Sequence, residues 1–207
     1  MYKYIKRGMD FAVAFVALLF LSPLMLIVSI LIKINRDGPV LFKQKRPGLN
    51  GKIFTVYKFR TMSVKTHDLS GRELSDFERM SKIGSLLRKT SVDEIPQFIN
   101  ILKGDMSFIG PRPLLTEYLE LYTPEQMRRH EVRPGISGWA QINGRNTITW
   151  EEKFRYDVEY VDKMSLKMDI YILIKTVLNV LKQDGINSGE ANTMEKFRGT
   201  EKEEVKE

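Results

Sequence analysis

The sequence predicts an α-rich α+β fold in which a hydrophobic N-terminal helix precedes one small globular domain. Residues 11–32 carry no charged side chain. The rest of the 207-residue chain is about one domain in length. Two short strand-like segments are followed by several segments with helical spacing. We therefore divide the chain into a membrane helix over 1–36, a globular domain with membrane-interface helices over 37–187, and a polar tail over 188–207 that we expect to be disordered.

The N-terminal apolar run has a proline at its middle. At about 1.5 Å per residue it could cross a bilayer core of about 30 Å. Both of its flanks are basic, which favours the cytoplasmic side, so it either enters the bilayer and returns or spans it with a kink. Pro23 deprives the carbonyl near Leu19 of its helical donor, and the Ser22 hydroxyl is the expected replacement. A cleaved signal peptide is disfavoured, because the run is too long and no small-x-small site follows it.

The elements of the globular domain are predicted from local patterns. A β-hairpin is expected from two strands, 40–44 and 53–59, around a Pro- and Gly-containing turn. After a polar loop, helical spacing appears in four segments: 77–87, 95–102, 114–122 and 150–163. Gly104 is the expected terminator of the second of these helices. The glycine-rich stretch 133–145 predicts a loop, and 168–181 predicts a core helix or one lying in the membrane plane.

Composition excludes several classes of function. The chain has no cysteine and only two histidines, His67 and His130, which excludes disulfides and thiolate chemistry and argues against zinc. The formal charge of +7 suits an anionic membrane face or phosphate ligands. Nucleic acid is not an expected partner, because the basic residues are scattered and match no nucleic-acid-binding motif.

Two neighbouring carboxylates form the first candidate site. Asp93 and Glu94 follow Arg88 and precede Pro96. A helix that begins with Pro96 in its first turn would put both acids at its positive end and favour their ionised forms. Such carboxylates could supply a nucleophile or bind a metal. Helix capping accounts for the same residues without any chemistry.

Cations and glycines form the second candidate site. Prolines on both sides of Arg112 hold its backbone, which suits phosphate recognition or a rigid connector equally. Lys58 and Arg60 share one face of a predicted strand. The glycine-rich stretch 133–145 could present backbone N–H groups to phosphate. It matches neither a P-loop, nor a dinucleotide-binding fingerprint, nor a serine-hydrolase elbow.

Taken together, these motifs resemble the monotopic phosphoglycosyl transferases, the bacterial sugar transferase family, in its minimal form. The resemblance covers about residues 6–183. It rests on five segments in family order: Ser22-Pro23, 58–62, 93–97, 110–113 and 133–139. Asp157 and Asp169 also match acidic positions of the family.

The resemblance implies transfer of a phospho-sugar from a UDP-sugar to polyprenyl (undecaprenyl) phosphate with release of UMP. It implies a ping-pong mechanism in which Asp93 is the nucleophile and Glu94, together with Asp93, holds Mg²⁺ or Mn²⁺. The expected substrate- or phosphate-binding residues are Lys58, Arg60, Arg88, Arg112, Arg145, Asp157 and Asp169.

The resemblance also implies a re-entrant membrane helix broken at Ser22-Pro23 and a catalytic domain on the cytoplasmic face of the bacterial inner membrane. Downstream glycosyltransferases are expected as further partners. Two other classes remain open: a membrane-anchored nucleotide-sugar phosphohydrolase and an anionic-lipid-binding scaffold.

Overall fold

The computed structural model describes residues 1–35, 38–144, 148–182 and 196–200. A long helix, α1 (Tyr2–Asn35), precedes a hairpin of β1 (Leu41–Pro47) and β2 (Ile53–Phe59). The middle of the chain contains α2 (Asp76–Arg79), α3 (Lys82–Lys89), α4 (Gln97–Lys103) and β3 (Ser107–Ile109). The remaining elements are α5 (Pro124–Met127), β4 (Gly135–Ser137), α6 (Trp139–Ile142), α7 (Trp150–Lys163) and α8 (Leu166–Lys182).

Helix α1 runs through Pro23 without losing its helical structure, so the predicted break at Ser22-Pro23 is not an interruption of the helix, and the re-entrant path stays a prediction. The Ser22 hydroxyl donates to the Leu19 carbonyl at 2.8 Å, as predicted, and so limits the cost of the missing proline N–H. The helix is long and apolar enough to cross a membrane. No residue from 15 to 27 is buried, and Phe20 is 81% exposed. An apolar surface of this size indicates a membrane anchor.

Both halves of α1 pack against the globular domain. Ala14, in the first half, is fully buried in a cluster with Val56 of β2. Val28, in the second half, is buried in a cluster with Phe59 of the same strand. Residues on both sides of Pro23 therefore share hydrophobic clusters with the same strand.

Helix α4 is held at its C-terminal end by two arginines. Arg7 of α1 donates to the carbonyls of Ile101 and Leu102 at 2.6 and 2.9 Å. Arg133 donates to the Gly104 carbonyl at 2.8 Å. These cations neutralise the exposed carbonyls of the last helical turn. Gly104 has a φ of 87°, which confirms the predicted glycine terminator of this helix.

The predicted hairpin is confirmed. Strands β1 and β2 pair antiparallel, with Leu41 opposite Phe59 and Pro47 opposite Ile53. Asn50 and Gly51 both have positive φ in the connecting turn, a conformation that Asn and Gly adopt most readily.

One strand of a second sheet, β4, lies within the stretch 133–145 that was predicted to be a glycine-rich loop. Strands β3 and β4 pair in parallel. A Cβ atom on Gly135 would lie 2.1 Å from the Gly110 nitrogen, so only glycine fits there. The Gly135 N–H donates to the Pro111 carbonyl at 3.0 Å. Gly135 therefore allows close backbone packing, and its N–H is not free for phosphate.

Other elements differ locally from the prediction. The helix predicted over 77–87 is two helices, because Ser75 caps α2 and Ser81 caps α3. The segment Thr116–Leu121 is a 3₁₀ helix where an α-helix was predicted. Helix α7 begins at a complete capping box formed by Thr149 and Glu152.

Within the predicted polar tail, residues 196–200 are ordered against the domain, and 188–195 and 201–207 lie outside the described residues. Phe197 is 4% exposed and packs among Tyr118, Trp150 and Phe154, with ring centroids 5.0–5.7 Å away. A buried aromatic residue explains why this part of the tail is fixed.

Candidate active site

A cavity of about 610 Å³ lies where the hairpin, α3, the Asp93-Glu94 turn and α6–α8 meet. Three carboxylates line it: Asp93, Glu94 and Asp157. Eight cationic side chains line it as well: Arg46, Lys58, Arg60, Arg79, Arg88, Arg112, Arg129 and Lys153. This excess of positive charge predicts an anionic ligand.

Asp93 is a buried carboxylate that lies among cations without a hydrogen bond to any of the described residues. It lies in a 3₁₀ turn, Val92–Glu94, that follows Ser91, whose φ of 56° is in the left-handed region. The Asp93 side chain makes no hydrogen bond to any other described residue, and the residue is 8% exposed. Burial and the neighbouring Glu94 charge raise its pKa to about 6, against the attraction of three cations: Lys58, Arg88 and Arg112. Near neutral pH it is an ionised group surrounded by positive charge.

Glu94 is the opposite case. Its Oε1 accepts hydrogen bonds from the Lys58 Nζ at 2.6 Å and the Arg112 Nη2 at 2.9 Å. Burial opposes ionisation of Glu94, but the charges of Arg112 and Lys58 outweigh it and lower the pKa to about 2. Two adjacent carboxylates thus differ in pKa, as acids with different tasks in one site commonly do.

Arg112 is held from behind by a buried ion pair. The Arg129 Nη2 donates to the Arg112 carbonyl at 2.7 Å and to the Asp157 Oδ2 at 2.7 Å. The Arg129 and Asp157 side chains are only 1% and 3% exposed. Asp157, predicted to bind substrate or phosphate, has its carboxylate bound by Arg129, and this pair fixes the backbone that carries Arg112.

Arg88 reaches the cavity from the last turn of α3. Its Nε donates to the Thr61 hydroxyl at 3.0 Å. The contact depends on close packing, because a Cβ atom on Gly84 would lie 2.0 Å from the Thr61 carbonyl oxygen. Arg60, at the end of β2, donates to the Pro39 carbonyl at 2.8 Å.

The structure places one predicted site residue, Asp169, outside the cavity. Asp169 does not line the cavity; it accepts hydrogen bonds from Tyr2, Lys6 and Tyr160 at 2.6, 2.6 and 2.7 Å. These contacts join the start of α1 to α7 and α8. Arg145 lies outside the described residues.

Sequence reasoning missed Arg79, Arg129 and Lys153 as cavity residues. Lys153 lies 4.4 Å from the centroid of the Trp150 ring, and burial lowers its pKa to about 8. Lys153 and Asp157 are four residues apart on α7 and therefore share a face. That spacing could have associated Lys153 with the acidic position already predicted.

The metal-binding capacity of the site rests on the two adjacent acids. The described residues contain no group of three or more His, Cys, Asp or Glu side chains suited to a metal. Mg²⁺ is commonly held by one or two carboxylates together with waters and substrate phosphates. Asp93 has no protein donor in the described structure, so its oxygens are free for such a cation. The residues present fit Mg²⁺ that arrives with an anionic substrate.

Comparisons with known proteins give a consistent result. The model of a family described as bacterial sugar transferase matches residues 1–183. The uncharacterized sugar transferase EpsL of Bacillus subtilis is 51% identical over 95% of this chain and 96% of its own length.

Two larger relatives carry names that state a reaction. The UDP-N-acetylgalactosamine-undecaprenyl-phosphate N-acetylgalactosaminephosphotransferase of Aeromonas hydrophila is 41% identical over 87% of this chain. The UDP-glucose:undecaprenyl-phosphate glucose-1-phosphate transferase of Escherichia coli is 40% identical over 84% of it. The matches span only 44% and 40% of those two proteins.

Proposed function

The chain belongs to the bacterial sugar transferase family, and from this premise we propose that it transfers a phospho-sugar from a UDP-sugar to polyprenyl phosphate and releases UMP. The observation that carries the proposal is Asp93, a buried carboxylate without a described hydrogen-bond partner, in a cavity lined by eight cations. Among the described residues, only three carboxylates face these eight cations, and a diphosphate substrate would supply further negative charge. The two larger relatives are named for the same class of reaction.

The proposed chemistry has two displacements at one phosphorus atom. An Asp93 oxygen attacks the phosphorus that bears the sugar; the bond to the bridging oxygen breaks, and UMP leaves with that oxygen. An oxygen of polyprenyl phosphate then attacks the same phosphorus and releases the Asp93 carboxylate. Neither displacement needs a net proton transfer. Lys58, Arg88 and Arg112 stabilise charge on the phosphoryl oxygens.

Asp93 and Glu94 would hold Mg²⁺ or Mn²⁺. The second Glu94 oxygen makes no hydrogen bond to the described residues, so it can serve a metal while Oε1 keeps its two cations. When bound, the metal would neutralise phosphate charge and help to orient the substrate. We expect EDTA to abolish turnover and Mg²⁺ or Mn²⁺ to restore it.

The reaction is tested by measuring UMP release from UDP-sugars with and without polyprenyl phosphate. A transferase with a covalent intermediate gives one equivalent of UMP without the lipid and continuous turnover with it. Continuous release without the lipid would indicate a phosphohydrolase, and no release from any UDP-sugar would favour a scaffold. Intact-protein mass spectrometry should show a mass gain of one phosphosugar. Peptide mapping should place this group on the peptide that contains Asp93. Asp93→Asn should abolish both signals while the protein stays folded.

We also propose that α1 enters one leaflet and returns, with the catalytic domain on the cytoplasmic face of the inner membrane. Ala14 and Val28 are buried in clusters that also contain residues of β2, whereas the segment around Pro23 is exposed and apolar. A straight spanning helix would separate its ends by the bilayer, so both could not pack on one small domain. A bend at Pro23 satisfies both contacts.

The topology is tested with single cysteines at Lys3 and Lys43 and a membrane-impermeant thiol reagent. In intact cells neither cysteine should be labelled, and in inverted vesicles both should be. Labelling of only one in either preparation would support a spanning helix. Pro23→Ala should shift the chain toward spanning, because it restores the backbone donor.

A further inference from the structure

Helix α8 faces the catalytic cavity on one side and the exterior on another. Thr176, Asn179 and Val180 line the cavity. Leu173 and Val177 are exposed to 49% and 50%. Residues three apart on a helix are neighbours, so Leu173 adjoins Thr176 and Val177 adjoins Val180. An exposed apolar surface therefore continues into the cavity wall.

The cavity lining is chemically divided. Among the described residues, the part formed by β4, α6 and α8 contributes no charged side chain: four of its residues are apolar (Ile136, Ala140, Ile142 and Val180) and four are polar and neutral (Ser137, Gln141, Thr176 and Asn179). The part formed by the hairpin, α3 and the segment around Arg112 contributes most of the cations. A ligand that matches both parts has an anionic head and an apolar chain.

We propose that the C-terminal half of α8 is the access route of the lipid acceptor, with the polyprenyl chain on the exposed apolar face and the phosphate passing over Asn179 into the cavity. This inference rests on the proposed function and adds the place where the acceptor binds. Charge complementarity favours this occupant, because its phosphate meets the cationic lining while its chain remains on apolar surface. Among the residues that the structure describes, none from α1 lines the cavity, so α8 is the favoured route.

Thr176 and Asn179 are the polar residues of α8 that line this route. The Thr176 hydroxyl donates to the Ile172 carbonyl at 2.7 Å and lies 2.6 Å from the Ser137 hydroxyl, so this pair is fixed. The Asn179 side chain makes no hydrogen bond to another described residue. Its amide can therefore donate to a phosphate oxygen without breaking an existing contact.

Photo-crosslinking tests the route directly. The full-length protein carries benzoylphenylalanine at position 177, 166 or 20, in vesicles that contain radiolabelled undecaprenyl phosphate. We expect capture at 177 that unlabelled undecaprenyl phosphate prevents and an equal amount of phosphatidylglycerol does not. Position 166, at the start of α8, should give no competed signal. Capture at 20 alone, or equal competition by phosphatidylglycerol, would overturn the proposal in favour of an α1 route or of general lipid contact.

Kinetics supply a second test with a matched control. Val180→Trp narrows the route, whereas Leu166→Trp makes a related change at an exposed position of the same helix. Val180→Trp should lower kcat/KM for undecaprenyl phosphate by at least about tenfold, and by more than it lowers kcat/KM for the UDP-sugar, whereas Leu166→Trp should change neither. Asn179→Ala should shift the same parameter in the same direction with less steric disturbance.

UMP release by the wild type distinguishes a failure of the proposed function from a failure of the proposed access route. If the wild type releases no UMP from any UDP-sugar, the proposed function fails. If the wild type is active and the α8 variants use the acceptor normally, only the access route is wrong.

Discussion

The buried pair of Arg129 and Asp157 gives the sharpest prediction about the site. Asp157→Asn keeps the size of the side chain but leaves the Arg129 charge uncompensated in a position that is 1% exposed. Removing one partner of a buried pair costs about 3–5 kcal/mol. For a chain of this size, a loss of 1 kcal/mol lowers Tm by about 2–4 °C, so we expect a decrease of about 6–20 °C. Thermal unfolding of the wild type and of Asp157→Asn in nanodiscs measures this decrease in Tm.

The double variant Arg129→Met/Asp157→Leu separates stability from positioning. Replacing both charges by apolar side chains is often neutral, so Tm should recover. Activity should not recover, because the Arg112 carbonyl has lost its donor and a misplacement of about 1 Å can cost about a hundredfold in rate. Asp162→Asn on the same helix is the control, because the Asp162 side chain is 50% exposed and such pairs contribute about 0–1 kcal/mol. Normal turnover in the double variant would refute the positioning role.

Three further predictions concern packing and protonation. Burial lowers the pKa of His130 from 6.5 to about 4, so as the pH falls the unfolded chain takes up the proton before the folded chain does. The free energy of unfolding should therefore fall by about 2 kcal/mol between pH 7 and pH 5. Unfolding measured at both pH values should show a smaller decrease in His130→Gln than in the wild type, and an equal decrease would contradict the role of His130. Gly84→Ala places a Cβ 2.0 Å from the Thr61 carbonyl and should cost about 1–3 kcal/mol, whereas Gly8→Ala, which meets nothing within 4 Å, should leave Tm unchanged or slightly raised. Phe197→Ala should cost about 3–5 kcal/mol in thermal unfolding, and a neutral result would show that residues 196–200 do not stabilise the domain.

The hairpin could be predicted because its signals are local. Strand alternation and a turn that needs positive φ at Asn50 and Gly51 occur within 20 residues. The pairing of β3 with β4 could not be predicted in this way. Each strand has three residues, and their alignment depends on contacts between Gly110 and Gly135, which are far apart in the chain.

The candidate site shows the same division. The order of motifs associated Asp93 and Glu94 with Lys58, Arg88 and Arg112, and these residues do line one cavity. The role of Arg129 was missed, because its partner Asp157 is 28 residues away and on another element. Asp169 carries the same chemical group as Asp157 but lies where α1 meets α7 and α8, a distinction that residue type alone cannot make.

Helix α4 connects the position of α1 in the membrane to the position of the Asp93 and Glu94 carboxylates. Asp93 and Glu94 lie in the turn two residues before α4, which has seven residues and is therefore about 10 Å long. Arg7 of α1 binds the far end of the same helix. Helix α4 is thus a short rigid connection between the carboxylates and the membrane helix. With the proposed membrane placement, a change in bilayer thickness that moves α1 along the membrane normal would also move the carboxylates, so we expect bilayer thickness to affect how well a lipid phosphate meets Asp93.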